Sequence, residues 1–131
     1  MCSSDLTGLH SQALLGAFAA LGPAASAALQ ALGSGGPAEV ASYRRILGPT
    51  EALSRQLFAA PTFYYKTGIA FLAWLNGHQP GFTMINGLTA GRSTTHLVEL
   101  FRLADAAGLL TDPPLAASRM RAFLAVSGVT A

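Results

Sequence analysis

The chain has 131 residues, 51% of them hydrophobic and only 11% charged, with a net charge of +2. That charge comes from few acids and scattered bases, with only Arg44-Arg45 adjacent, so no basic stripe tracks a phosphate backbone and nucleic-acid binding is excluded. The single cysteine, Cys2, excludes an internal disulfide, a Cys-x-x-Cys redox pair and a thiolate metal cage, and fits a reducing cytoplasm.

The first six residues stand apart. Met1-Cys-Ser-Ser-Asp-Leu6 reads like the translation of a short-read sequencing adapter, GTG-TGC-TCT-TCC-GAT-CT, with GTG taken as a start codon. On that reading 1–6 is a non-native leader and the biological segment is 7–131, opening inside a longer gene. A native polar N-terminus is the alternative.

The rest reads as helical throughout. Ser11 to Leu21 carries Leu14, Leu15, Phe18 and Leu21, which suits a helix, while Leu14–Leu21 is also compatible with a short buried strand. Gly22-Pro23 breaks it, and Pro23 opens a helix with Ala25, Leu29 and Leu32 on one side. Gly33-Ser-Gly-Gly36 connects to a helix opened by Pro37, with Glu39 near its positive end and Val40, Tyr43 and Leu47 along one face. Gly48 closes it, and Pro49 starts the next, where Leu53 and Leu57 align. Pro61 and Thr62 then start an apolar helix over 62–76, with Thr62 as its cap. That segment holds the only lysine and the only tryptophan and is apolar on every side from Ile69 to Leu75. A helix of this kind must be surrounded, and the expectation is that polypeptide outside this chain surrounds it. Gly77 to Arg92 is the longest loop. Ser93 caps a helix bearing Leu97, Leu100, Phe101 and Ala104, with Glu99, Arg102 and Asp105 as an outer ladder. Asp112 and Pro113 start the last helix, which buries Ala116, Met120, Phe123 and Leu124. There is no internal repeat and no heptad run.

Between Asp5 and Glu39 no residue carries a formal charge at neutral pH, and Leu9 to Leu32 is long enough to span a bilayer. Its alanines, glycines, serines and glutamines make it a weak span, and no Lys or Arg flanks it as an export signal requires. A soluble protein with a missing partner is the better reading.

No residue pattern carries chemistry. Lys66 invites a Schiff-base role, but Thr62 and Ala70 hold the positions four away, so no acid on its own helix supports it; its stem is expected along the apolar surface with its ammonium in water. His10, His78 and His96 lack metal-ligand spacing. The loop Gly87-Leu-Thr-Ala-Gly-Arg-Ser-Thr94 resembles a phosphate cradle only superficially, because Asn86 stands where a Walker A loop needs glycine and Arg92 replaces its lysine. Backbone amides at the Ser93 helix start with Arg92 could hold an anion, but a plain loop-to-helix junction is the simpler reading. Glu51, Glu99, Asp105 and Asp112 are helix-end or surface charges. No catalytic, cofactor-binding or metal-binding residue is assigned, and no cofactor is expected.

Ala60-Pro-Thr-Phe-Tyr-Tyr-Lys-Thr-Gly-Ile-Ala-Phe-Leu-Ala-Trp-Leu-Asn-Gly77 resembles the C-terminal helical region of dihydrodipicolinate synthase-like proteins, in the superfamily that includes N-acetylneuraminate lyase. There, a proline-containing turn leads into a helix with a lysine near its start. His78-Gln79, Arg92-Ser93 and Leu100-Phe-Arg-Leu-Ala-Asp-Ala-Ala-Gly-Leu-Leu110 are similar to a poorly characterised branch of that family, and the likeness runs over about residues 7 to 128. The resemblance implies a (β/α)8 barrel parent with class I aldolase or lyase chemistry, acting on a small oxo-acid or aldehyde through a lysine Schiff base. The family's reactive lysine lies on the sixth strand, upstream of this region; Lys66 matches a C-terminal helix lysine, so no catalytic role passes to it. Leu14 to Leu21 would be the last barrel strand and Pro23 the start of the helix after it. A barrel needs about 250 residues, so this chain would be a mostly α, C-terminal fragment of a cytoplasmic, homo-oligomeric lyase, inactive alone and partnered by the rest of the barrel. The alternatives are a complete small helical interaction or oligomerisation module, and a membrane-associated helical protein.

Overall fold

The computed structural model describes residues 16–33 and 35–129. The adapter-like leader, Cys2, His10, and Leu14 and Leu15 of the candidate strand lie outside the described residues. Within them the chain is helical: α1 (Gly22–Leu32), α2 (Pro37–Leu47), α3 (Glu51–Leu57), α4 (Tyr65–Leu75), α5 (Thr94–Ala106) and α6 (Pro113–Val126). No strand occurs among the described residues, and Ala17–Ala20, the described part of the candidate strand, is a 3-10 turn.

Proline and glycine punctuation sets most of these boundaries. Prolines occupy the first turns of α1, α2 and α6, where a missing N–H costs nothing. Asp112 accepts a hydrogen bond from the Leu115 amide and Ser93 from the His96 amide, so both expected side-chain caps are in place. Thr62 is different. It belongs to a 3-10 turn, Thr62–Tyr64, where its hydroxyl donates back to the Phe58 carbonyl, and α4 begins only at Tyr65 with no side-chain cap. The Gly77–Arg92 loop is also more ordered than its glycines imply, because Ile85–Gly91 is 3-10 with a left-handed kink at Asn86-Gly87.

The core sits around α4. Thr67, Gly68, Phe71, Leu72 and Leu75 are buried on it, against Leu53 and Leu57 of α3, Leu97, Leu100 and Ala104 of α5, and Ala116 and Met120 of α6. This corrects the expectation that α4 is surrounded by polypeptide from outside. Its neighbours in this chain cover it, and Ile69, Ala70, Ala73 and Trp74 are half-buried. Three helices converge at Gly68. A β-carbon there would lie 2.7 Å from Leu57 Cδ2 and 2.8 Å from Leu100 Cδ1, so the absence of a side chain sets how closely α4 approaches α3 and α5. Further along, Phe71 meets Trp74, Phe82 and Phe123 at centroid distances of 5.8, 5.2 and 5.2 Å, tying the 77–84 loop and α6 onto α4. Arg119 lies over the Trp74 ring at 5.7 Å and donates to the Trp74 carbonyl at the end of α4.

The α1–α2 hairpin lies at the edge of this core. It contributes Ala25 to the core, buries Ala28 besides, and buries no residue of α2. Of the α1 residues expected on one side, Ala25 is buried, Leu32 half-buried and Leu29 62% exposed, and Ala28 is fully buried.

Candidate functional site

Chemistry-bearing side chains gather most densely at the corner where α3 ends, the Phe58–Tyr64 turn passes and α5 begins. Arg92, the residue before the α5 cap, is buried to 8% exposure. Its guanidinium is a fork on three carbonyls: Nη2 donates to Ala59 O at 2.6 Å and Leu57 O at 3.3 Å, and Nη1 donates to Ala60 O at 3.3 Å. A helix C-terminus presents unsatisfied carbonyls and a partial negative charge, and a planar, permanently charged donor set meets both needs. Arg92 is therefore a clamp on the end of α3. The same geometry removes it from anion binding, since both Nη atoms are committed to backbone, and the loop-to-helix junction is the reading the structure supports.

His96, one turn into α5, faces α3. Its Nδ1 lies 3.2 Å from Gln56 Nε2, while its Nε2, like Arg92 Nε, is buried without a hydrogen-bond partner among the described residues. Burial, helped by the positive charge of Arg92, lowers the His96 pKa below its ordinary value. Ser93 and Thr95 hydroxyls, 3.0 Å apart, complete the polar rim. Behind them, Thr67 on α4 donates to the Leu88 carbonyl at 2.8 Å, and Gly91 lies flat against Tyr64, where a β-carbon would come within 2.5 Å of the ring. These contacts hold the loop so that Arg92 reaches α3.

The remaining candidates are scattered. Lys66 is exposed on the first turn of α4, as its solvated reading requires, and no ion pair involves it among the described residues. His78 is exposed beyond the other end of α4. Of the outer ladder only Glu99–Arg102 pairs, at 3.6 Å; a second pair, Glu51–Arg55 at 2.6 Å, lies on α3. Both are solvent-facing and contribute little. Among the described residues no group of three or more His, Cys, Asp or Glu could hold a metal, and no helix is long and apolar enough to cross a membrane.

Cavities open on the surface of the described residues, and two of them bear on the site. One, of about 290 Å³, lies between Leu21, Ile69, Leu72, Ala73, Asn76 and Leu109. Its main polar group is already engaged: Asn76 Nδ2 donates to Leu109 O at 3.1 Å and Oδ1 accepts from the Thr111 amide at 2.9 Å. The other, of about 350 Å³, is a shallow groove between α2 and α3, floored by Tyr43, Leu47 and Thr50 and flanked by Arg44 and Glu51. Neither gathers a nucleophile, base and acid.

Sequence reasoning missed the Arg92 fork and the Gln56–His96 contact. The partners lie 32–35 and 40 residues apart, so no local spacing announces them. The one available sign was an arginine directly before a helix cap in an otherwise uncharged loop.

None of the curated proteins compared with this chain matches it. A family model described as protein of unknown function, DUF993, matches residues 3–129. The chain therefore belongs to the DUF993 family.

Proposed function

We propose that this chain is a non-catalytic helical packing unit, the C-terminal region of a dihydrodipicolinate synthase-like aldolase or lyase. In that reading its helices complete and cover a (β/α)8 barrel whose Schiff-base lysine lies in upstream polypeptide. The observation that carries it is α2: it packs on α1, yet Val40, Tyr43, Ile46 and Leu47 are only half-buried by the described residues and no residue of the helix is fully buried. A half-covered apolar face of this kind has room for a further neighbour. The resemblance over Ala60–Gly77 supplies the identity of the neighbour, and an exposed Lys66 agrees with a family lysine that does no chemistry.

One observation favours a second reading. The described residues bury their own core, with Leu53, Leu57, Phe71, Leu75 and Leu100 fully buried and Leu21 and Ala25 joining them, which is what a self-standing interaction or oligomerisation module needs. Recovering the gene upstream of codon 7 separates the two. The fragment reading expects a continuous frame encoding barrel strands, and co-expression of that part with residues 7–131 yields a complex that is trapped by borohydride with an oxo-acid or aldehyde. Lys66→Ala leaves trapping intact. An in-frame stop upstream, with a self-associating chain that never gives trapping, overturns the lyase reading in favour of the module.

A further inference from the structure

The seam between α3 and α5 contains one group whose charge changes near neutral pH, and it stands beside a cation that cannot lose its own. His96 rests on Gln56 through Nδ1, 3.2 Å from the amide nitrogen. With the amide nitrogen turned to the ring, Nδ1 accepts and the ring proton sits on Nε2. Protonation turns both ring nitrogens into donors, and the Gln56 contact is lost unless that amide turns over. The new charge also appears beside Arg92, whose guanidinium is locked onto Leu57 O, Ala59 O and Ala60 O. Among the described residues neither Arg92 Nε nor His96 Nε2 has a partner to absorb a change.

We propose that His96 is an acid-sensitive latch: its protonation loosens the Arg92 fork and frees the Phe58–Tyr65 turn from the end of α3. That turn is the natural moving part. It carries Phe58 and Phe63, 37% and 76% exposed, and the stacked Phe58–Tyr65 pair, and Arg92 ties it down through Ala59 O and Ala60 O.

The other charges nearby do not buffer the event. On α3, Glu51 and Arg55 pair with one another at the surface. On α5, Glu99 pairs with Arg102. The 3-10 turn Gly48–Thr50 has no ionisable side chain, Lys66 on α4 is exposed, and on α6 Arg119 is bound at the Trp74 carbonyl while Arg121 is exposed. Arg92 is the one charge acting on the ring, and it opposes protonation in the same direction as burial. The sign follows. The folded chain holds His96 neutral below the ordinary pKa of 6.5, so native stability is complete above 6.5 and declines as pH falls from there through the lowered folded value.

The test is amide hydrogen exchange of the full chain between pH 7.5 and 5, corrected for intrinsic rates, with the His96 ring followed by NMR. The wild type is expected to lose protection at Phe58, Ala59 and Tyr64 as the ring titrates below 6.5, while α6 amides keep theirs. His96→Gln, which cannot titrate, keeps that protection across the range. Gln56→Glu gives the ring a carboxylate partner and reverses the trend, so that the turn is better protected when His96 is charged. Equal loss of protection in wild type and His96→Gln, or a His96 ring that titrates at or above 6.5 in wild type, overturns the latch.

Discussion

The two ends of this molecule use the same apolar vocabulary and reach opposite outcomes. From α3 to α6, leucines and phenylalanines meet across four helices and disappear from solvent: Leu53, Leu57, Phe71, Leu75 and Leu100 are all at 0% exposure. In the α1–α2 hairpin the buried residues are Ala25 and Ala28, Leu29 is 62% exposed, and no residue of α2 is fully buried. The difference is in neighbours rather than composition. α4 is enclosed by α3, α5, α6 and the loop before α5, whereas α2 packs chiefly on α1. Burial of side chains stabilises only when each helix has facing partners, so among the described residues α3–α6 gain more from packing than the α1–α2 hairpin does.

That contrast can be broken most severely at Phe71. Phe71→Ala removes the ring shared by Trp74, Phe82 and Phe123 and is expected to cost roughly 3–5 kcal/mol in urea unfolding followed by tryptophan fluorescence. A cost below about 1 kcal/mol would mean that α3–α6 is not the cooperative unit. Arg92→Met comes next. It strips the donor from the carbonyls of Leu57, Ala59 and Ala60; only the bond to Leu57 O is buried and water can reach the other two, so denaturant midpoints should show a cost of about 1–3 kcal/mol. Arg92→Lys should not restore it, since an ammonium cannot reach all three as a planar fork. Gly68→Ala follows, at about 1–3 kcal/mol, because Leu57 and Leu100 are buried and have little room to retreat from a new methyl. The smallest effect belongs to the hairpin: Leu29→Ser should leave stability within about 0.5 kcal/mol. It should, however, reduce self-association on size exclusion if the α1–α2 face is what binds. A Leu29→Ser variant that melts much earlier would erase the distinction between the two halves.

Helix positions were legible in the residues themselves. Pro23, Pro37 and Pro113 mark starts, Ser93 and Asp112 act as caps, and the leucine spacing of α5 identifies its buried face. Thr62 was misread because a cap residue and a turn residue share the same chemistry, and only the chain direction after Pro61 decides between them. Leu29 was misread because helical spacing says which residues share a face but not how near a neighbour comes. The site was the least legible part. Arg92 and His96 looked like a loop end and an isolated histidine, since a guanidinium can cap a helix from any distance in sequence.

By itself the sequence determined a set of helices, their starts and stops, and the absence of any recognisable catalytic spacing, all of which depend on local backbone sterics and periodicity. Tertiary structure alone decided that α4 is enclosed by its own chain, that α2 is only half-covered by the described residues, and that Arg92 closes α3 beside a half-buried His96. Those outcomes depend on which surfaces come within van der Waals or hydrogen-bond range across 30 to 40 residues, a matter of packing that no local pattern encodes.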